Sequence, residues 1–115
     1  MLLNLSNHPS SKWSTAQKQI ALEQYGTIKD IPFPNIPPEY DNVAVKKMAN
    51  AYFEKIIRLQ PKAVHLMGEM TFTYTLVKQL KANKIICIAA TTERLVVEKG
   101  DKRIVQFNFF RFRKY

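Results

Sequence analysis

Polar side chains cluster directly after the first apolar segment of the chain, Leu2 to Leu5. They bring hydroxyl, amide, imidazole, ammonium and indole groups close together: Ser6, Asn7, His8, Ser10, Ser11, Lys12 and Trp13. If Leu2 to Leu5 is a parallel strand, these residues form the loop at its carboxyl end, where open α/β sheets bind ligands. A helix that begins just after the loop adds unpaired backbone N–H groups, which suit an anion and above all a phosphate.

Three side chains of this loop could take part in binding or catalysis, and two of them, His8 and Trp13, have a second interpretation. His8 could exchange protons at neutral pH, because the unperturbed pKa of histidine is about 6.5, or it could be a hydrogen-bonded loop residue before Pro9. Lys12 could pair with a phosphate. Trp13 could stack on a base or cover a ligand, or it could seal the start of the following helix.

A second polar segment, Gly68 to Thr73, follows the apolar stretch Ala63 to Met67, which is typical of a buried parallel strand. In a doubly wound sheet whose first and third strands are neighbours, this segment and the first loop lie side by side at the switch point. Gly68 would permit close backbone approach to a ligand, and Thr71 and Thr73 would add neutral donors. The sequence therefore predicts a phosphate site built from both loops.

Two further sets of residues are candidates for the same edge of the sheet. Glu69 could cap the third helix, which is the more conservative interpretation, or hydrogen-bond to ribose hydroxyls or adenine amines. Thr91 and Thr92 begin a polar interruption after the fourth predicted strand, and it ends at Arg94. Arg94 could bind phosphate or form a surface ion pair with a neighbouring glutamate.

Several common kinds of site are missing from the sequence. It contains no Gly-x-Gly-x-x-Gly and no Walker A lysine loop, so an ordinary dinucleotide or nucleoside-triphosphate site is not expected. Its two histidines and one cysteine are widely separated, and no serine, histidine and carboxylate set stands out, so we expect no metal and no cofactor. His65 lies among apolar neighbours and is predicted to be a core histidine without a functional role.

Composition indicates one small domain with a basic surface. The chain has 115 residues, 46% of them hydrophobic, which is enough for a single core spanning residues 1–115. No apolar run is long enough to cross a membrane, and the lone Cys87 indicates a reduced thiol, so a cytoplasmic protein without a membrane partner is expected. The net charge is +9, and five of those charges come from residues 94–115, which favours polyanionic ligands.

The order of the predicted elements indicates an α/β fold with a Rossmann-like, mostly parallel sheet flanked by helices and a C-terminal antiparallel hairpin. Strands are predicted at residues 2–5, 27–31, 63–67 and 84–90, helices at 15–25, 41–60 and 72–83, and a hairpin at 95–98 and 103–112. In the last strand, the inward-facing side changes near Phe109 and Phe110. A β-bulge, or a second protein surface covering the far face, would explain that change.

Four segments resemble the small, single-domain CRISPR-associated proteins with a CARF-like Rossmann fold. They are Leu-Leu-Asn-Leu-Ser-Asn-His-Pro at residues 2–9, His-Leu-Met-Gly-Glu-Met-Thr-Phe at 65–72, Thr-Thr-Glu-Arg at 91–94, and the aromatic and arginine-rich ending at 105–115. The resemblance runs the length of the chain, and its most specific part is the ending that closes on Tyr115.

The resemblance implies a homodimer that binds cyclic oligoadenylate, most simply cyclic tetra-adenylate, the second messenger of type III CRISPR antiviral defence. It also implies a ring nuclease, in which a ribose 2′-OH attacks the adjacent phosphate without a metal. Carried over to this chain, proton transfer falls to His8 and charge stabilisation to Lys12. Ligand binding is carried over to the two loops, at Ser6, Asn7, Ser10, Ser11, Gly68, Glu69, Met70 and Thr71. The sequence itself, apart from the resemblance, adds Trp13, Thr73, Thr91, Thr92 and Arg94 as candidates for binding.

Two alternatives stay open at this point. The protein could hold the same messenger without cleaving it, as a sponge or sensor. It could also be a basic RNA- or DNA-binding module that uses Arg111, Arg113, Lys114 and the neighbouring phenylalanines. Under the preferred hypothesis, no stable nucleic-acid partner is expected.

Overall fold

The computed structural model describes all 115 residues as a five-stranded sheet with helices on both faces. The elements are β1 (Leu2–Ser6), α1 (Thr15–Tyr25), β2 (Ile28–Asp30), α2 (Asn42–Leu59), β3 (Ala63–Met67), α3 (Met70–Ala82), β4 (Ile86–Lys99) and β5 (Lys102–Lys114). One turn of 3-10 helix, Ser10–Lys12, lies between β1 and α1. The predicted α/β class is confirmed.

The sheet order is β2-β1-β3-β4-β5, with parallel pairing everywhere except between β4 and β5. β1 and β3 are therefore neighbours, as the doubly wound interpretation requires, and Ser6 pairs with Met67 at their carboxyl ends. The loops that follow β1 and β3 begin at the same edge of the sheet.

Side chains alternate between two cores because successive residues of a strand face opposite sides. Leu3 and Leu5 of β1 belong to the larger core, under α2 and α3, whereas Leu2 belongs to the smaller core, under α1. Asn4 and Ser6 share the α1 side with Leu2. This alternation sends the polar residues of β1 toward α1.

Local capping explains where the helices begin and end. Ser14 accepts a hydrogen bond from the backbone of Gln17 at the start of α1, and Gly26 ends that helix with φ 91°. Asp41 caps α2 by accepting from the backbone of Ala44 at 2.9 Å. These signals are local, so the predicted bounds of α1 and α2 match the structure to within one or two residues.

The predicted interruption at residues 91–94 is wrong, because β4 runs without a break from Ile86 to Lys99. Thr91 and Thr92 are good strand formers. β5 pairs with β4 from Ile88 to Lys99, and both threonines take part in that pairing. The ladder does shift at this point, since Thr91 pairs with Arg111 and Thr92 with Phe109. Phe110 is thus the extra residue of a β-bulge, which confirms the predicted change of face.

The outer part of the hairpin extends away from the body of the protein. Residues 92–108 are exposed on both faces of the two-stranded ribbon. The radius of gyration is 15.9 Å, whereas a compact chain of this length would have about 13 Å. None of the helices has the length and apolar character needed to cross a membrane.

Candidate functional site

The carbonyl oxygen of His8 fixes the shape of the loop that follows β1. It accepts hydrogen bonds from Asn4 Nδ2 at 2.9 Å and from Trp13 Nε1 at 3.0 Å, and the Ser6 hydroxyl lies 3.1 Å away. The imidazole of His8 is exposed and has no hydrogen-bond partner within the chain. The backbone of this residue is therefore held rigidly while its side chain is free to meet a ligand.

Asp30, at the end of β2, holds the loop from the other side. Its carboxylate accepts from the Ser10 hydroxyl at 2.6 Å, from the Ser10 backbone at 3.1 Å and from Asn4 Nδ2 at 2.7 Å. Partial burial alone would raise the pKa of Asp30, but these hydrogen bonds outweigh it and lower the pKa below its usual value. Ser6 and Ser10, predicted as ligand donors, are thus occupied within the protein.

His65 lies at the centre of the same network, although it was predicted to have no functional role. Its Nδ1 is 2.9 Å from Asn4 Oδ1, and the Trp13 ring meets it edge to face at 5.1 Å between centroids. Burial, with a smaller contribution from the charge of His8, lowers the pKa of His65 to about 4. His65 is therefore neutral at physiological pH, and its Nε2 is buried without a hydrogen-bond partner.

The loop that follows β3 is occupied by its own helix cap. Glu69 accepts from the backbone N–H groups of Thr71 at 2.8 Å and Phe72 at 3.1 Å, and the Thr71 hydroxyl donates to it as well. The Thr71 hydroxyl is the main cause of the lowered pKa of Glu69, and the two backbone N–H groups add to it against a small effect of burial. The capping interpretation of Glu69 is confirmed.

Phe33 fills the space into which a side chain at Gly68 would point. A Cβ atom built on Gly68 would lie 2.2 Å from Cζ of Phe33. Phe33 comes from the proline-rich segment after β2 and packs edge to face on Phe72 at 5.4 Å. The absence of a side chain at Gly68 serves this internal contact.

The predicted residues that line a cavity are divided among three cavities rather than gathered in one. Ser6 and Asn7 line a cavity of about 290 Å³ beside Asp30. Gly68, Met70 and Thr73 line another of about 310 Å³. The third has a volume of about 560 Å³, and its walls come from the loop after β1, α1, β3 and the hairpin: His8, Lys12, Trp13, Ser14, Gln17, His65, Met67, Ala90, Thr92, Phe107 and Phe109.

The third cavity, which we call the His8–Lys12 cavity, has a basic rim and aromatic walls. His8 and Lys12 are exposed at its rim, and Trp13, which is 7% exposed, belongs both to the wall and to the small core. Phe107 and Phe109 close the opposite side from β5. Its volume lies within the range of small-molecule sites, about 300 to 1,000 Å³.

The remaining predicted residues lie at or outside this cavity. Thr92 lines it, whereas the Thr91 hydroxyl bonds to the backbone of Arg111 at 2.9 Å and stabilises the bulge. Arg94 is exposed on the hairpin opposite Phe107 and does not line the cavity. Ser11 is exposed on the 3-10 turn, where its carbonyl accepts from Lys18 at 3.3 Å.

Sequence reasoning missed four contributors to this region: Asn4, Asp30, His65 and the Phe107 to Phe109 wall. A polar residue inside each of two adjacent apolar strands, Asn4 and His65, was the available signal, because such residues need partners. No group of three or more His, Cys, Asp or Glu side chains is placed to hold a metal ion.

Comparison with known proteins gives a family but no activity. A family model described as the Uncharacterized protein MJ1673 family matches residues 1–115, and the chain therefore belongs to this family. No curated protein and no solved structure gave a match.

Proposed function

We propose that this member of the MJ1673 family binds cyclic oligoadenylate in the His8–Lys12 cavity and cleaves it as a ring nuclease. The observation that carries the proposal is the composition of that cavity, which places two basic side chains beside three aromatic rings at the carboxyl ends of β1 and β3. A nucleotide needs both parts, because its phosphate is anionic and its base is a flat apolar ring.

Binding is favoured by the way the rim is supported. Lys12 is exposed at the end of a 3-10 turn, and the backbone of that turn is held by Ser10 on Asp30. A lysine on a fixed backbone can meet a phosphate with little ordering of the main chain. Trp13 and Phe109 are aromatic walls on which a base can stack with little dependence on its identity.

Cleavage would use the ligand's own nucleophile. A ribose 2′-oxygen attacks the adjacent phosphorus, a 2′-oxygen to phosphorus bond forms, and the phosphorus to 5′-oxygen bond breaks. His8 accepts the proton from the 2′-OH, the leaving 5′-oxygen takes a proton from water or from protonated His8, and Lys12 stabilises the negative charge on the phosphate. The products are a 2′,3′-cyclic phosphate and a 5′-hydroxyl.

A second candidate, a sponge that binds the same messenger without cleaving it, is favoured by one observation. The hydrogen bonds of His8 all involve its backbone, and none orients its imidazole. A catalytic histidine is usually oriented by a hydrogen bond to its second ring nitrogen. His8 would acquire that orientation only from the ligand.

We further propose that the protein is a cytoplasmic homodimer. The hairpin exposes apolar side chains on both faces, among them Leu95, Val97, Ile104 and Phe107, which a second copy could cover. Two symmetric copies would also suit a cyclic ligand with repeated phosphates. Burial raises the pKa of the Cys87 thiol to about 11, as suits an unreactive thiol in a reducing compartment.

The decisive experiment combines binding with product analysis. The protein is titrated with cyclic tetra-adenylate by calorimetry, and then incubated with it in EDTA before the products are separated by chromatography. Linear products ending in 2′,3′-cyclic phosphate support the ring nuclease, whereas intact ligand bound to the protein supports the sponge.

Linear tetra-adenylate and a mixed-sequence single-stranded RNA serve as matched controls. Preferential binding of the mixed RNA, lost on replacing Arg111 and Arg113 but retained in His8→Ala, would favour a general nucleic-acid-binding module. No binding of the cyclic ligand would contradict both of the preferred functions.

A further inference from the structure

His65 carries unassigned chemistry in the middle of the sheet. Its side chain is 2% exposed, its Nε2 has no hydrogen-bond partner, and the residue lines the His8–Lys12 cavity. We propose that His65 Nε2 recognises the base of the ligand by accepting a hydrogen bond from the exocyclic amine of an adenine. The inference rests on the proposed function, because it requires a nucleotide in that cavity.

The orientation of the Asn4 amide determines which way the hydrogen bonds run. Asn4 Nδ2 lies 2.7 Å from a carboxylate oxygen of Asp30 and 2.9 Å from the carbonyl oxygen of His8. Both partners can only accept, so the group that faces them must be the donating NH₂. Asn4 Oδ1 therefore faces the opposite way, toward His65 and the hydroxyl of Ser6 at 2.8 Å.

This orientation determines the tautomer of His65. A carbonyl oxygen can only accept, so His65 Nδ1, at 2.9 Å from Asn4 Oδ1, must carry the proton. The ring is neutral, because burial keeps its pKa well below physiological pH. A neutral imidazole has one N–H, and Nε2 is therefore an acceptor with a free lone pair.

The surroundings of His65 supply no donor for that lone pair. The rings of Trp13 and Phe112 stand edge to face against the imidazole, at 5.1 and 5.6 Å between centroids, and the Trp13 N–H is already given to the carbonyl of His8. A buried acceptor without a partner is costly, and a donor delivered by a ligand removes that cost. Met67, whose unbranched side chain adapts readily, also lines the cavity.

An acceptor at this position distinguishes purines by one group. Adenine has an amine that can donate, whereas hypoxanthine has a carbonyl oxygen at the corresponding ring position, and its lone pair would face that of Nε2. The aromatic walls stack on either base and do not discriminate. His65 would thus account for a preference for adenylate over inosinate.

The test compares cyclic tetra-adenylate with its inosine analogue, in which each amine is replaced by a carbonyl and the neighbouring ring nitrogen N1 carries a proton. We expect the wild-type protein to bind the adenylate about 10- to 100-fold more tightly, the loss produced by an unpaired buried acceptor. His65→Leu should weaken adenylate binding and bring the two dissociation constants to within about threefold. Circular dichroism and thermal melting establish that the variant is folded.

A second measurement does not depend on the variant. Nitrogen NMR of the protein labelled at histidine should show His65 Nε2 as an unprotonated ring nitrogen, and the adenylate should shift that resonance whereas the inosine analogue should not. Equal affinities for the two ligands, a preference that survives in folded His65→Leu, or a protonated Nε2 would overturn the role of His65 and leave the proposed function standing. Failure to bind either cyclic ligand would overturn the proposed function itself, and the role of His65 with it.

Discussion

The loops after β1 and β3 begin side by side and both lead into helices. They differ in which of their groups have hydrogen-bond partners within the protein. In the β1 loop, internal hydrogen bonds engage the backbone and the serines, which leaves the side chains of His8 and Lys12 exposed at a cavity. In the β3 loop, Glu69 accepts the hydrogen bonds of its own helix N-terminus, and Phe33 covers Gly68. The first loop presents unpartnered side chains to its cavity, whereas the helix N-terminus of the second loop is capped by a side chain of the protein itself.

This difference shows that a helix N-terminus at the correct edge of a sheet is not sufficient for a binding site. The orphan N–H groups of α3 are satisfied by a carboxylate from the chain, so an anionic ligand would have to displace Glu69. The site depends on which groups the surrounding elements leave without partners.

The largest effect is expected from the imidazole of His8. If His8 transfers the proton, His8→Ala should reduce the rate of cyclic tetra-adenylate cleavage by about 10²- to 10⁴-fold, because general acid–base groups contribute that much. Met70→Ala, in the second loop, should change the rate by less than about twofold. Single-turnover assays at saturating protein measure both rates. Equal losses in the two variants would support a site formed by both loops.

The buried histidine should make stability depend on pH. Burial lowers the pKa of His65 from 6.5 to about 4, so between these values the unfolded chain binds a proton that the folded chain excludes. The contribution of neutral His65 to the free energy of unfolding is therefore fully present above pH 6.5. It should fall by about 3 kcal/mol as the pH drops to 4, at 1.36 kcal/mol per pKa unit.

Urea denaturation at several pH values between 4 and 6.5 checks this prediction. The carboxylates titrate in the same range, so the relevant quantity is the difference between the wild-type protein and His65→Gln. That difference should shrink as the pH falls, because the variant has no buried imidazole to protonate. Parallel stability curves for the two proteins would contradict a depressed pKa at His65.

Charge at the rim should affect binding more than charge elsewhere. Lys12→Ala should weaken the binding of cyclic tetra-adenylate by about 10- to 100-fold, as expected for loss of a charged hydrogen bond to phosphate. Lys47→Ala removes the same charge from the exposed surface of α2, on the opposite face of the sheet, and should have little effect. Calorimetry at two salt concentrations measures both, and equal losses would indicate general attraction to a basic protein.

The smallest effect is expected where Phe33 covers Gly68. Gly68→Ala should destabilise the protein by about 1 to 2 kcal/mol, because the added methyl group requires Phe33 to move. Phe33→Leu in the same chain should recover part of the loss, and a double-mutant cycle in urea measures the coupling. A stable Gly68→Ala variant that no longer binds ligand would instead support close ligand approach at Gly68.

Local signals were sufficient for most of the fold. Ser14 with Gly26, the cap Asp41, and the apolar run Ala63 to Met67 act within a few residues, so they predict α1, the start of α2 and β3 closely. The interruption at residues 91–94 was wrong, because strand pairing with a distant segment decides whether such residues are extended. The bulge was predictable, since two apolar faces in one strand already show the change of side at Phe110.

The candidate site was predictable only in part. Its position at the ends of β1 and β3 follows from the alternation of strands and helices, and His8, Lys12, Trp13 and Thr92 do line one cavity. The role of Ser10 could not be foreseen, because its partner Asp30 lies on another strand, and the role of Ser6 depends on how the loop turns the His8 carbonyl toward it. His65 was dismissed for its apolar sequence neighbours, although its partner across the sheet is Asn4.

By itself, the sequence determined the α/β class, the basic charge and the first loop as a candidate anion site, since these depend on composition, periodicity and capping within short segments. Only the tertiary structure decided that Phe33 covers Gly68, that Asp30 and Asn4 set the tautomer of His65, and that the hairpin completes the cavity with Phe107 and Phe109. Hydrogen bonding and exclusion of volume act between residues that are close in space. Asn4 lies 26 positions from Asp30 and 61 positions from His65 in the chain, so the sequence alone does not show that they meet.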